Sequence, residues 1–125
     1  MGANYLIDTN IIIDFSENKL PSKAKSFIAP IIDDRPQLSI INKIELLGFS
    51  VVNDVIVELV ETATIIGLTD SIVHKTIAIR KSHRVKLPDA IIAATAIEQG
   101  LILVTRNITD FQNINGLNMI NPWDK

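Results

Sequence analysis

The chain contains no cysteine. Disulfide bridges and thiolate metal centres are therefore excluded. Aromatic residues make up only 5% of the chain, so the core must be mostly aliphatic. There is no excess of positive charge, because 12 Lys and Arg stand against 14 Asp and Glu, giving a formal net charge of -2. A passive nucleic-acid binder is basic, since phosphate neutralisation drives its affinity. Contact with nucleic acid would here require a local basic patch or a bound metal. No uninterrupted apolar stretch is long enough to span a membrane. The N-terminus has no basic segment and Asp8 breaks the first apolar run, so no signal peptide is expected. Position 6 is Leu, where a myristoylation site needs Ser or Thr. With cysteine also missing, a cytoplasmic location is the natural expectation.

What remains is an ordinary globular composition on the hydrophobic side, 47% apolar and 21% charged in 125 residues. A chain of that length buries roughly two-thirds of its unfolded surface, enough for one real core, and residues 1–125 are expected to form a single domain. Apolar and β-branched runs predict five strands: Ala3 to Ile7, Gln37 to Ile41, Thr62 to Leu68, Leu101 to Val104, and Asn118 to Ile120. Between them lie helical stretches: one opening at a Thr9-Asn10 cap, one that Pro21 starts and that runs through Ser22 to Ile32, Asn42 onward, Val52 to Val60, and one that Thr69-Asp70 caps and that runs to about His83. The last starts near Pro88 and stops at Gly100. Strands alternating with helices argue for an α/β fold, a mostly parallel sheet covered on both faces.

Four acids fall at informative places. Asp8 follows the first strand, Glu45 lies one turn into the helix after the second, and Asp110 follows the fourth. Ligand crevices of open α/β sheets lie beyond the carboxyl ends of the strands, where these three map. Asp89 opens the helix before the fourth strand, and joins them only if that helix begins at the same edge. Clustered carboxylates repel one another unless protonated or neutralised by a cation. Mg²⁺ and Mn²⁺ prefer oxygen donors and keep several waters. A metal so held activates water and stabilises phosphoryl charge, which points to phosphodiester hydrolysis.

The local strings carry more than the spacing. Leu6-Ile7-Asp8-Thr9-Asn10, Ile44-Glu45-Leu46-Leu47-Gly48, the run from Leu87-Pro88-Asp89 to Thr95-Ala96, and Val104-Thr105-Arg106-Asn107-Ile108-Thr109-Asp110-Phe111 occur in this order, and Asn121-Pro122-Trp123 closes the chain. This ordered set closely resembles the motifs of PIN-domain nucleases of the VapC type, the toxins of toxin–antitoxin pairs. The resemblance spans essentially the whole chain, although from Phe49 to Leu87 only the pattern matches. It implies a Mg²⁺- or Mn²⁺-dependent endoribonuclease with Asp8, Glu45, Asp89 and Asp110 as its acidic quartet. It also implies that the Asp89 helix starts at the crevice, that Thr105 and Asn107 border the site, and that the partners are RNA, a cognate antitoxin and a second copy in a homodimer.

Each acid alone has a plainer reading. Asp8-Thr9-Asn10 can cap a helix, Asn42-x-x-Glu45 can form a capping box, Asp89 can serve the helix dipole, and Asp110 can sit in a turn. Unrelated caps need not follow one family's motif order, so the joint functional reading leads. Arg80, Lys81, Arg84 and Lys86 form the densest basic run, and Arg106 precedes Asp110. These cations are candidates for RNA phosphate contacts, though a solvated helix end explains any single one of the basic run. His74 and His83 lack metal-ligand spacing. The main alternative is a non-catalytic PIN-like module that binds RNA or protein. An aspartyl phosphatase would carry a second aspartate two residues after the first, where Asn10 stands.

Overall fold

The computed structural model describes residues 4–124; Ala3, expected at the start of the first strand, lies outside them. Five strands form one sheet: β1 (Tyr5–Ile7), β2 (Gln37–Ser39), β3 (Thr64–Ile66), β4 (Ile102–Val104) and β5 (Met119–Ile120). Their spatial order is β3-β2-β1-β4-β5, and every pairing is parallel. The expected mostly parallel sheet is thus wholly parallel. β1 is central, with Leu6 opposite Leu103 of β4 and Gln37 of β2.

Successive strand residues face opposite sides, and here both sides are buried. Leu6 and Leu103 enter one apolar cluster, Ile7 and Val104 the other. The first cluster is roofed by α5 (Asp70–Ser82) and α6 (Leu87–Gln99), which pack against each other. The second is filled from α1 (Thr9–Ser16), α2 (Ser22–Asp33), α3 (Ile40–Leu47) and α4 (Asp54–Thr62). A short α7 (Ile108–Phe111) and a 3-10 turn (Pro122–Asp124) complete the elements. Ala90 to Ala96 of α6 are all buried. A helix apolar all round belongs inside, and its one polar core residue, Thr95, is satisfied by donating to Ile91 O at 2.7 Å. No helix among the described residues is long and apolar enough to cross a membrane.

Several boundaries differ from the sequence reading. β2 ends at Ser39 rather than Ile41, because Ser39 caps α3 with its hydroxyl on Ile41 N–H. α3 therefore starts at Ile40, two residues before Asn42. β3 is shorter than the β-branched run from Thr62 to Leu68, and α4 runs two residues past Val60. The first cap is Asp8, not Thr9-Asn10, since Thr9 is already helical. Thr69 caps α5 as expected, and Gly100 ends α6 in the left-handed region at φ 66.

The end of α6 settles where Asp89 lies. Only Gly100 and Leu101 separate it from β4, so α6 must finish at the amino edge of the sheet. Its 13 residues rise about 20 Å, which carries its first turn back to the carboxyl edge.

Candidate active site

β1 ends directly at Asp8, whose extended backbone (φ -75, ψ 155) turns the chain into α1. The side chain is 6% exposed and receives three hydrogen bonds. Thr9 N–H donates to Oδ1 at 2.9 Å, while the Thr105 hydroxyl and the Asn10 amide donate to Oδ2 at 2.8 and 3.2 Å. Thr105 is fully buried just beyond β4, and its Oγ1 accepts Asn107 N–H at 3.0 Å. Asn10 Oδ1 accepts Arg106 N–H at 3.5 Å. The ends of β1 and β4 are thereby knitted around one carboxylate.

Glu45 reaches the same place from α3. Its Oε1 accepts the Thr9 hydroxyl at 2.6 Å, and Thr9 Oγ1 lies 3.0 Å from Asn42 Nδ2. The capping box that Asn42 and Glu45 offered as a plainer reading does not form; the box is Ser39 with Asn42, which leaves Glu45 for Thr9. Gly48 ends α3 so tightly that a Cβ there would lie 2.7 Å from Ile44 O.

Asp8, Glu45, Asp89 and Asn107 line one cavity of about 520 Å³, with Thr9, Asn10, Ile13, Ile44, Gly48 and Phe49. Asp110 in α7 is exposed and not part of this lining, although its charge bears on Asp89. A larger hollow of about 1380 Å³ lies at the strands' opposite edge, along Tyr5, Gln37 and Thr64. It does not include any of the four acids, so size alone does not mark the site.

The electrostatics agree with the crowding. Burial, then the charges of Asp8, Asp110 and Glu45, raise the Asp89 carboxyl to about 6, with Lys86 opposing. Burial also raises Asp8; the Thr105 and Thr9 hydrogen bonds oppose that rise, the Glu45 charge adds to it, and Asn10 opposes it. Among the described residues the only ion pair is Lys19–Glu17, so none of the four acids is held in an ion pair. An oxygen-rich, like-charged pocket of this kind suits a hard divalent cation. Among the described residues, no group of three or more acidic or histidine side chains stands close enough together to hold a metal ion. A cation bound here would have to keep most of its own water, as Mg²⁺ commonly does.

The basic candidates Arg80, Lys81, Arg84 and Lys86 are exposed and outside the cavity lining. Arg106 lies with its guanidinium 4.4 Å from the centroid of the Trp123 ring. His83 Nε2 meets Asn113 O at 2.6 Å and is not part of the cavity lining. Thr9, Asn10 and Asn42 are the polar residues that sequence reasoning assigned only to caps. The signal for Thr9 and Asn10 was their place in the first motif; for Asn42 there was none beyond its polarity in an apolar stretch.

A family model for the PIN domain matches residues 5–117. The chain belongs to the PIN-domain family. The resemblance noted in the sequence is thereby borne out for family and fold. This PIN domain is similar to a chain from a toxin–antitoxin complex of Klebsiella pneumoniae, at 32% identity and TM-score 0.72, over 95% of this chain and 98% of that one. It is also similar to a chain of DNA-bound VapBC from Salmonella typhimurium, at 24% identity and TM-score 0.77, over 97% and 99%. VapBC-1 from nontypeable Haemophilus influenzae matches at 25% identity and TM-score 0.74, over 97% and 98%. No curated protein sequence matches the chain significantly.

Proposed function

We propose that this PIN domain is a metal-dependent endoribonuclease and the toxin of a toxin–antitoxin pair, acting in the cytoplasm as a homodimer. The observation that carries the reading is the convergence of Asp8, Glu45 and Asp89 on one cavity with none of them held in an ion pair. Asp8, Asp89 and Asp110 would hold Mg²⁺ or Mn²⁺, directly or through water, with Glu45 binding metal water or taking a proton from the attacking one. The bound ion would lower the pKa of water and offset charge on the phosphoryl oxygens. Thr105 and Asn107 would orient Asp8 from behind. Water would attack the phosphodiester in line, leaving a 5′-phosphate and a 3′-hydroxyl.

The antitoxin proposal is supported by the toxin–antitoxin assemblies to which similar chains belong. Exposed apolar residues beside the cavity, Ile44 and Phe49, with Val51 just beyond, suit a covering protein. RNA would be drawn in by Arg80, Lys81, Arg84, Lys86 and Arg106, since the overall charge is negative.

Asp8→Asn tests the site. It should abolish RNA cleavage and weaken Mn²⁺ binding measured by calorimetry, with the circular dichroism spectrum unchanged. Full cleavage by the variant would remove Asp8 from the machinery. A wild-type protein that neither binds Mn²⁺ nor cuts RNA would instead favour the non-catalytic module.

A further inference from the structure

Asn42 is fully buried in the first turn of α3. Its side-chain amide has one accepting and one donating end, and the surroundings decide which faces where. Ser39 N–H lies 2.8 Å from one end. A backbone N–H can only donate, so that end must be Oδ1. The other end is then Nδ2, which donates to Thr9 Oγ1 at 3.0 Å. Having accepted there, Thr9 keeps its single hydrogen for its other partner, Glu45 Oε1 at 2.6 Å. Three hydrogen bonds therefore run in one direction, from the backbone of the β2–α3 junction, across the start of α1, to a carboxylate on α3.

From this geometry we infer that Asn42 is a positioning residue for the acidic site. Its buried amide fixes the direction of the Thr9 hydroxyl, so that Glu45 always meets a hydrogen and never a lone pair. The inference rests on the proposed metal site and adds to it a residue that touches neither substrate nor cation. Direction matters because Glu45 is exposed and its charge bears on the like charges of Asp8 and Asp89. Without a donor on its oxygen, the Thr9 hydroxyl would be free to send its hydrogen to another acceptor and let Glu45 swing outward. Asn42 removes that freedom before any cation arrives. Asp8 is served alike: Asn107 N–H donates to Thr105 Oγ1, which sends its hydrogen to Asp8 Oδ2.

The test reverses the relay without emptying the space. Asn42→Asp is nearly isosteric and keeps an oxygen for Ser39 N–H, so the α3 cap survives. The second carboxylate oxygen cannot donate. It takes the Thr9 hydrogen and turns the hydroxyl's lone pairs on Glu45. The added negative charge by itself would tighten cation binding, whereas the reversed relay loosens it, so the two effects differ in sign. Mn²⁺ affinity measured by calorimetry should fall about tenfold or more. Thr9→Val should fall with it, and Thr9→Ser, which keeps the hydroxyl, should stay within about twofold of wild type. In the metal-free wild type, the Asn42 side-chain amide protons should be slow to exchange by NMR, and Thr9→Val should shift their resonances.

Equal or tighter Mn²⁺ binding by Asn42→Asp would overturn the inference, as would Asn42 amide protons that exchange like those of an exposed asparagine. If Asn42→Asp does not fold, the Thr9 pair decides, and equal affinities of Thr9→Val and Thr9→Ser would count against the relay. If the wild type binds no Mn²⁺, the metal reading falls on its own and the NMR result still judges the relay.

Discussion

Thr105 donates its hydroxyl to Asp8 Oδ2 at 2.8 Å, joining residues 97 positions apart at the ends of neighbouring parallel strands. Both groups are buried. Thr105→Val keeps the shape, yet strips Asp8 of a donor and Asn107 N–H of its acceptor. Leaving buried polar groups unpaired costs about 1–3 kcal/mol, so thermal unfolding should move down accordingly. Mn²⁺ affinity should fall about 10- to 100-fold, and Thr105→Ser should restore most of both. A Thr105→Val protein with wild-type Mn²⁺ binding would show that the bond serves the fold alone.

Asp89→Asn should make the metal-free protein more stable at pH 7. The carboxyl is raised from 3.8 to about 6 in the folded chain, so the native state holds more protons than the unfolded one across that window. Stability contributed by this group therefore falls as pH rises through it. The full shift corresponds to about 3 kcal/mol. Solvent screening at this partly exposed side chain reduces that to about 1 kcal/mol. In EDTA at neutral pH the variant's Tm should exceed wild type by about 4 °C. Below the unfolded value, about pH 4, the gain should vanish, because the wild-type carboxyl is then protonated in the folded and the unfolded chain alike. A variant less stable than wild type at pH 7 would mean that Asp89 is not held against its neighbours' charge.

Arg106 stacks over Trp123 at 4.4 Å. A cation–π contact of this kind uses the charge of the guanidinium and does not consume its N–H groups, which can then also meet a phosphate. Arg106→Ala, compared with its parent in an Asp89→Asn background, should flatten the salt dependence of RNA binding by about one unit of log slope. It should also lower stability by about 0.5–1 kcal/mol through loss of the cation–π contact. If only stability changes, the side chain serves the stack and makes no phosphate contact.

The alternation of strands and helices was legible from the sequence because both faces of the sheet are buried, giving continuous apolar runs such as Leu6-Ile7 and Leu103-Val104. Gly100 and Thr69 announced their helix ends through local chemistry, a positive φ and a side-chain cap. The β2–α3 junction was misread because Ile40 and Ile41 suit a strand as well as a helix, and the deciding group is the Ser39 hydroxyl. The four acids were visible as motif residues. The bonds made by Thr9, Asn10 and Asn42 were not visible, because the partners lie 36, 96 and 33 positions away and a cap explains each residue within its own segment.

The two-residue link from α6 to β4 makes that helix a ruler with its zero at the sheet. Everything from Ala90 to Ala96 is locked by packing, and Gly100 fixes the lower end. The height and bearing of Asp89 are thus counted out in residues. One residue inserted between Asp89 and Gly100 would raise the carboxylate by about 1.5 Å and rotate it by about 100° around the helix axis. It would then point away from Asp8, although every acid would still be present. Side-chain substitutions along α6 leave this count intact; changes in its length do not.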